Sequence, residues 1–172
     1  MCPEAGANVN NMTASPVYSG YASAHTYLSI AAAGRYTIGP PTVGLVYSNV
    51  QFKNLADTSS GANPLRLSGT AKFDTAEVNV TYFWTPSFLS EVVYSYTRGL
   101  GVGSIGSSRY NNVSLSLDYY LSKRTDVYII SSTQFAGGTD STGRAARATL
   151  NALTASSSNR QMFVQLGMRH KF

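Results

Sequence analysis

The stretch NVSLSLDYYL, residues 112–121, alternates between apolar and polar side chains, and its reading decides the fold. Val113, Leu115, Leu117, Tyr119 and Leu121 fall on one side, while Asn112, Ser114, Ser116 and Asp118 fall on the other. In an extended chain successive side chains point to opposite faces, so a period of two is a strand with one greasy and one wet face.

The same period extends in both directions. Towards the C-terminus, the turn Ser122-Lys123-Arg124-Thr125 leads into a strand over 126–136, then a long polar loop over 137–159. The last strand sets Met162, Val164, Leu166, Met168, His170 and Phe172 against Gln161, Gln165, Arg169 and Lys171. Towards the N-terminus, the Gly- and Ser-rich loop GLGVGSIGSS (99–108) separates it from a strand with Phe88, Val92, Tyr94 and Tyr96 opposite Glu91, Ser95 and Thr97. Thr85-Pro86-Ser87 turns the chain back to a strand with Ala76, Val78, Val80, Tyr82 and Trp84 opposite Glu77, Asn79 and Thr81. Residues 53–71 read as a loop, broken at Asp57–Gly61 and Asn63-Pro64. The strand before it, 42–52, alternates poorly and its faces stay open. The first strand, 24–37, has Leu28, Ile30 and Tyr36 on one face and His25, Tyr27, Ser29 and Arg35 on the other. Gly39-Pro40-Pro41 ends it, because proline cannot sit inside a central strand. That makes seven strands. The stretch GRAARATLNAL (143–153) has the composition of a short helical insertion.

Composition says where such strands would sit. Charged residues make up 12% of the chain, beside 12 Tyr, 7 Phe and 15 Gly; soluble domains carry about 25% charge. Few side chains are therefore available to keep an outer surface in water. No run is long and apolar enough for a spanning helix, whereas barrel strands are short and half polar. Cys2 is the single cysteine, so neither a disulfide framework nor a metal cluster is expected. The start, MCPEAGANVNNMTASP, lacks the basic and apolar segments of a signal peptide. The cations, 13 Lys and Arg against 8 Asp and Glu, are scattered, and no nucleic-acid module is visible.

Three features select a membrane barrel over a soluble sandwich. The strands run to ten or more residues, the length that a tilted bilayer crossing needs. Short turns near 38–41, 85–87 and 122–125 alternate with long loops at 53–71, 99–108 and 137–159, as periplasmic turns alternate with extracellular loops. Aromatic residues gather beside the short turns, Tyr36, Tyr82, Trp84, Phe88, Tyr119, Tyr120, Tyr128 and Phe172, with Tyr120 alone at the wrong parity for the lipid side. Such rings favour the headgroup level. If 122–125 is periplasmic, residues 1–23 are the disordered remnant of an extracellular loop, and 24–172 is the C-terminal part of a barrel. The fold class expected is all-β, a transmembrane antiparallel up-and-down barrel present only in part.

The segments YYLSKRTDVYIISSTQFA (119–136) and FVQLGMRHKF (163–172) resemble the general diffusion porins of Gram-negative bacteria, in the form found in beta-proteobacteria. GPPTVGLVYSNVQF (39–52) and EVVYSYTRG (91–99) resemble them more weakly. The resemblance covers about residues 24–172. It implies a sixteen-stranded subunit, assembled as a homotrimer in the outer membrane, passing small hydrophilic solutes and ions. It further implies that Phe172, as terminal aromatic, is read by the barrel-assembly machinery through the C-terminal strand. The front half of such a protein is absent here, so this chain alone is not expected to form a working pore.

The residues that would line a pore are Arg35, Glu77, Asn79, Glu91, Ser95, Asn112, Asp118, Gln165, Arg169 and Lys171. A positive excess among them would favour anions. No catalytic constellation is visible: His25 and His170 are far apart, and the serines lack a strand–turn–helix elbow. The chain therefore reads as a non-enzyme without cofactor, its partners being outer-membrane lipid and permeating solutes. The reading from another class is a β-rich surface protein that binds or adheres without conducting.

Overall fold

In the computed structural model the described residues are 15–57, 59–151 and 153–172. They form one antiparallel sheet of seven strands: β1 (Thr26–Thr37), β2 (Pro41–Lys53), β3 (Ala71–Thr85), β4 (Phe88–Leu100), β5 (Ser108–Tyr120), β6 (Thr125–Gly138) and β7 (Arg160–His170). Each strand pairs with its neighbours in sequence, in the order β1-β2-β3-β4-β5-β6-β7. Among the described residues β1 and β7 do not pair with each other, so the sheet is open, as part of a barrel would be.

The register assigns every side chain to a face, because residues paired across an antiparallel ladder point the same way. Val43, Val80, Val92, Leu115, Ser131 and Val164 form one continuous rung through successive pairs. The next rung towards the short turns carries Tyr82, Ser90, Leu117, Ile129 and Leu166. This face, here called outer, is apolar through its middle and exposed. The opposite, inner face receives the loops. The assignment also settles β2, whose outward residues are Val43, Leu45 and Tyr47.

The packed core lies at the long-loop end, on the inner face. Phe52, Ala71, Phe73, Tyr110 and Ala136 of the strands meet Val17, Tyr21, Leu55, Leu67, Val102, Ile105, Ala146 and Ala148 of the connecting segments. Strand β3 accordingly starts at Ala71, earlier than its clean alternation at Ala76 suggests, because Ala71 and Phe73 face this core.

Two expectations need correcting. Residues 1–14 of the supposed loop remnant lie outside the described residues, but residues 15–23 pack into the core instead of trailing loose. A turn of 3-10 helix, Ser19–Tyr21, sets Tyr18 and Tyr21 against Phe52 and Phe73, with ring centroids 5.1–6.0 Å apart. This strap is tied at both sides. Ser23 Oγ donates to the Leu55 carbonyl at 2.6 Å. Ser141 Oγ accepts from the Gly20 amide at 2.8 Å and donates to the Pro16 carbonyl at 2.7 Å. A Cβ on Gly20 would lie 1.8 Å from the Ser141 carbonyl oxygen, so only glycine allows the approach.

The other correction concerns 143–151, which is not helical. Ala146, Ala148 and Leu150 are buried in alternation, a strand-like period. The Thr149 and Leu150 amides donate to the side-chain carbonyls of Gln134 and Gln161, at 2.6 and 2.7 Å. These inner-face glutamines hold the segment extended against the sheet, and that outweighs the helix propensity of its alanines.

Candidate pore wall

Nine of the expected lining residues share the inner face: Arg35, Glu77, Asn79, Glu91, Ser95, Asn112, Asp118, Gln165 and Arg169. Lys171 lies past the end of β7, where its amide donates to the Arg124 carbonyl at 2.8 Å. Phe172 is fully exposed, with its ring 4.9 Å from that of His170.

Cross-strand bonds fix the polar wall in place. Ser114 Oγ donates to Ser132 Oγ at 2.8 Å, and Ser132 donates onward to Asn112 Oδ1 at 2.9 Å. Asn79 lies over Gly44, where a Cβ would come within 2.4 Å of its amide oxygen. Thr81 Oγ1 approaches Glu91 Oε1 at 3.4 Å.

The densest charge stands near the short turns. Arg169 Nε donates to Asp126 Oδ1 at 3.0 Å, and its Nη2 lies 3.8 Å from Asp118 Oδ2. One guanidinium therefore faces two carboxylates. Asp126 is almost wholly buried, and one oxygen of each carboxylate lacks a partner among the described residues. Asp126 escaped the sequence reading because β6 alternates weakly: Ile130 follows the same parity as Asp126 and Ser132. Only the ladder to β5 and β7 fixes which way it points. Tyr128, expected in the outer aromatic group, also points inward, its ring lying over Gly167.

On their inner face the strands thus carry Glu77, Glu91, Asp118 and Asp126 against Arg35 and Arg169. The balance is acidic, not basic. Lys171, which would have narrowed the difference, is not on a strand.

The outer face has aromatic residues near both ends of the strands. At the short-turn end stand Tyr36, Tyr82, Trp84, Phe88 and Tyr119, with Trp84 Nε1 donating to Ser90 Oγ at 2.9 Å. Towards the loops stand Tyr47, Tyr94, Tyr96 and Phe135. Between them lies the aliphatic band, so each spanning strand is capped by rings that suit a lipid–water boundary.

This two-faced sheet agrees with comparison to known proteins. Residues 4–135, well over half of the chain, match the family model described as Gram-negative porin. The chain belongs to the Gram-negative porin family. No curated protein sequence matches it. Among solved structures, in-vitro folded OmpT, an outer-membrane protein of Vibrio cholerae, is similar at 20% identity and a TM-score of 0.60, over 84% of this chain and 40% of that one. OmpT expressed in the outer membrane matches at 20% identity and 0.59, over 84% and 41%. Its loop L8 deletion mutant matches at 17% identity and 0.59, over 84% and 37%. The porin chain here thus spans about two fifths of the length of those structures. It is an outer-membrane protein, and its seven strands are transmembrane β-strands.

Proposed function

We propose that these strands form part of the wall of a passive channel for small hydrophilic solutes and ions. The observation that carries the reading is the division of the sheet into an apolar outer face and an inner face of Glu, Asp, Arg, Asn, Gln and Ser. The first suits hydrocarbon and the second suits water. Such a wall needs no catalytic step. In support, His25 and His170 stand at opposite ends of the sheet, His25 against Asp57 at 2.6 Å and His170 against Thr125 at 2.8 Å.

A closed wall requires strands beside β1 and β7, since an unpaired backbone group in hydrocarbon costs several kcal/mol. A complete subunit, its association as a homotrimer, and recognition of Phe172 by the assembly machinery belong to the same proposal. The exposed position of Phe172 at the end of β7 is compatible with the last of these.

The acidic balance of the inner face further supports a preference for cations. The test is the reversal potential of the closed channel containing these strands, in a planar bilayer under a salt gradient. Cation preference is expected, and Glu77→Gln with Glu91→Gln should move it towards anions. Failure to obtain reproducible conductance steps would overturn the channel reading. Anion preference would overturn the assignment of these carboxylates to the lumen.

A further inference from the structure

Charge on the strands is segregated by face, and one group of cations has no role in a pore wall. Lys53, Lys72, Arg98, Arg109 and Arg160 all sit on the outer face near the loop ends of β2, β3, β4, β5 and β7. The one acid among them is Asp74, the register partner of Arg98; its carboxylate also accepts from the Tyr47 hydroxyl at 2.8 Å and the Asn49 amide at 2.7 Å, so a single carboxylate stands among five cations. None of the five cations forms an ion pair among the described residues. Arg98 and Arg109 are direct register partners. Like charges placed opposite each other across a ladder are destabilising unless something else compensates them.

Their placement follows a level line. Counted in rungs of the ladder, the cations shift towards the short turns on passing from β2 to β7, with Arg98 and Arg109 sharing one rung. Across about 24 Å of strand spacing they descend by about 20 Å along the strands, at roughly 4.8 Å per strand and 6.8 Å per two residues. That slope is the trace of a horizontal plane on strands tilted by about 40°, the usual range for a barrel. The short-turn ends shift the same way, from Tyr36 on β1 to Phe88 on β4 and His170 on β7. The cations therefore lie at one height, just beyond the aliphatic band.

Two of the guanidinium groups are laid along the wall. Arg160 stacks 5.3 Å from the centre of the Phe135 ring. Arg109 runs across Gly137, where a Cβ would sit 3.0 Å from its Nε. Flat guanidinium groups held at the lipid boundary present paired donors that match phosphate oxygens.

We infer that this belt binds the phosphate groups of membrane lipids with a net negative headgroup, in the leaflet at the long-loop end. The lipid's acyl chains would lie on the aliphatic band below, and its phosphates would meet the arginines. The inference needs only the transmembrane placement of the sheet and stands apart from the channel reading.

The test uses the full chain folded in zwitterionic detergent micelles, with Trp84 emission reporting that each sample is folded. Short-chain phosphatidic acid is titrated while the Nε–H signals of Arg98, Arg109 and Arg160 are followed by NMR. Saturable shifts are expected with phosphatidic acid and not with phosphatidylcholine. Arg98→Gln and Arg109→Gln should each weaken binding about fivefold, the effect of one cation at a charged membrane surface. Lys123→Gln at the other rim should leave it unchanged. Equal shifts with phosphatidylcholine, unchanged affinity in the arginine variants, or the same saturation with inorganic phosphate would each overturn the inference.

Discussion

At the short-turn end, β3 passes into β4 through residues 86–87 and β5 into β6 through residues 121–124, and hydrogen bonds across each turn hold the chain. The Leu121 and Ser122 amides both donate to the Thr125 carbonyl, at 2.9 and 3.0 Å. At the opposite end the connections are long, and they are held by a buried cluster of side chains that the turns do not need. The alternation of the strands reverses between these two regions. Through the middle and towards the turns, most outward side chains are apolar and all the charged ones on the strands point inward. At the loop end Phe52, Phe73 and Tyr110 point inward, while Lys72, Arg98 and Arg109 point outward. The reversal is physical. In the proposed channel wall the outer face would meet hydrocarbon and the inner face water below the boundary; above it the outer face would meet charged headgroups, and the inner face meets folded loops.

The contrast can be broken most strongly at Phe52. Phe52→Ala should cost about 3–5 kcal/mol, the usual loss for emptying a packed aromatic site, measured by denaturant unfolding in micelles. Leu166→Ala, on the exposed outer face of β7, should cost a fraction of that, because lipid refills the space. Equal losses would mean that the loop-end cluster is not a core.

Smaller in size is the effect of releasing the strap. Ser141→Ala removes the acceptor for the Gly20 amide and the donor to the Pro16 carbonyl, both buried. Leaving such groups unpaired costs roughly 1–3 kcal/mol. Hydrogen exchange at the Gly20 amide should quicken, while amides in the turn at 121–124 keep their rates. Quickening at both ends would show that the two regions unfold together.

The smallest effect is a dependence on alkaline pH. Burial and the neighbouring Asp140 charge push the Tyr21 phenol from 10.0 up to about 12. A raised folded value means that the unfolded chain ionises first as pH climbs. The stabilisation is therefore full below pH 10.0 and is lost between there and about 12. Loosening of residues 15–24 in that window, followed by exchange or proteolysis, should be absent in Tyr21→Phe.

The middle of the sheet was legible in the sequence because one rule governs it. Along β5 every residue from Asn112 to Tyr119 obeys the oil–water alternation, and β7 and the central part of β4 follow it apart from Phe163 and Val93, which are apolar and point inward. Strand β2 was not legible for a reason now visible: Val43, Leu45 and Tyr47 face lipid, but Val50 and Phe52 on the other parity face the loop-end core or pack beside it. Both faces are apolar in sequence, and no period emerges. The same cause hid the start of β3. Most of the inner polar set could be read from parity alone. Asp126 could not, because Tyr128 and Ile130 share its face and blur the signal. The basic belt escaped notice since its members are far apart in sequence and align only once the register is known.

The central claim is that outer and inner faces see different solvents along one strand. The direct measurement places single cysteines at each position from Val113 to Asp118, in a chain whose own Cys2 is replaced by serine, and reads their labelling by a water-soluble thiol reagent in lipid vesicles. Labelling at 114, 116 and 118, with protection at 113, 115 and 117, is the expected outcome. Uniform labelling, or the opposite alternation, would contradict it.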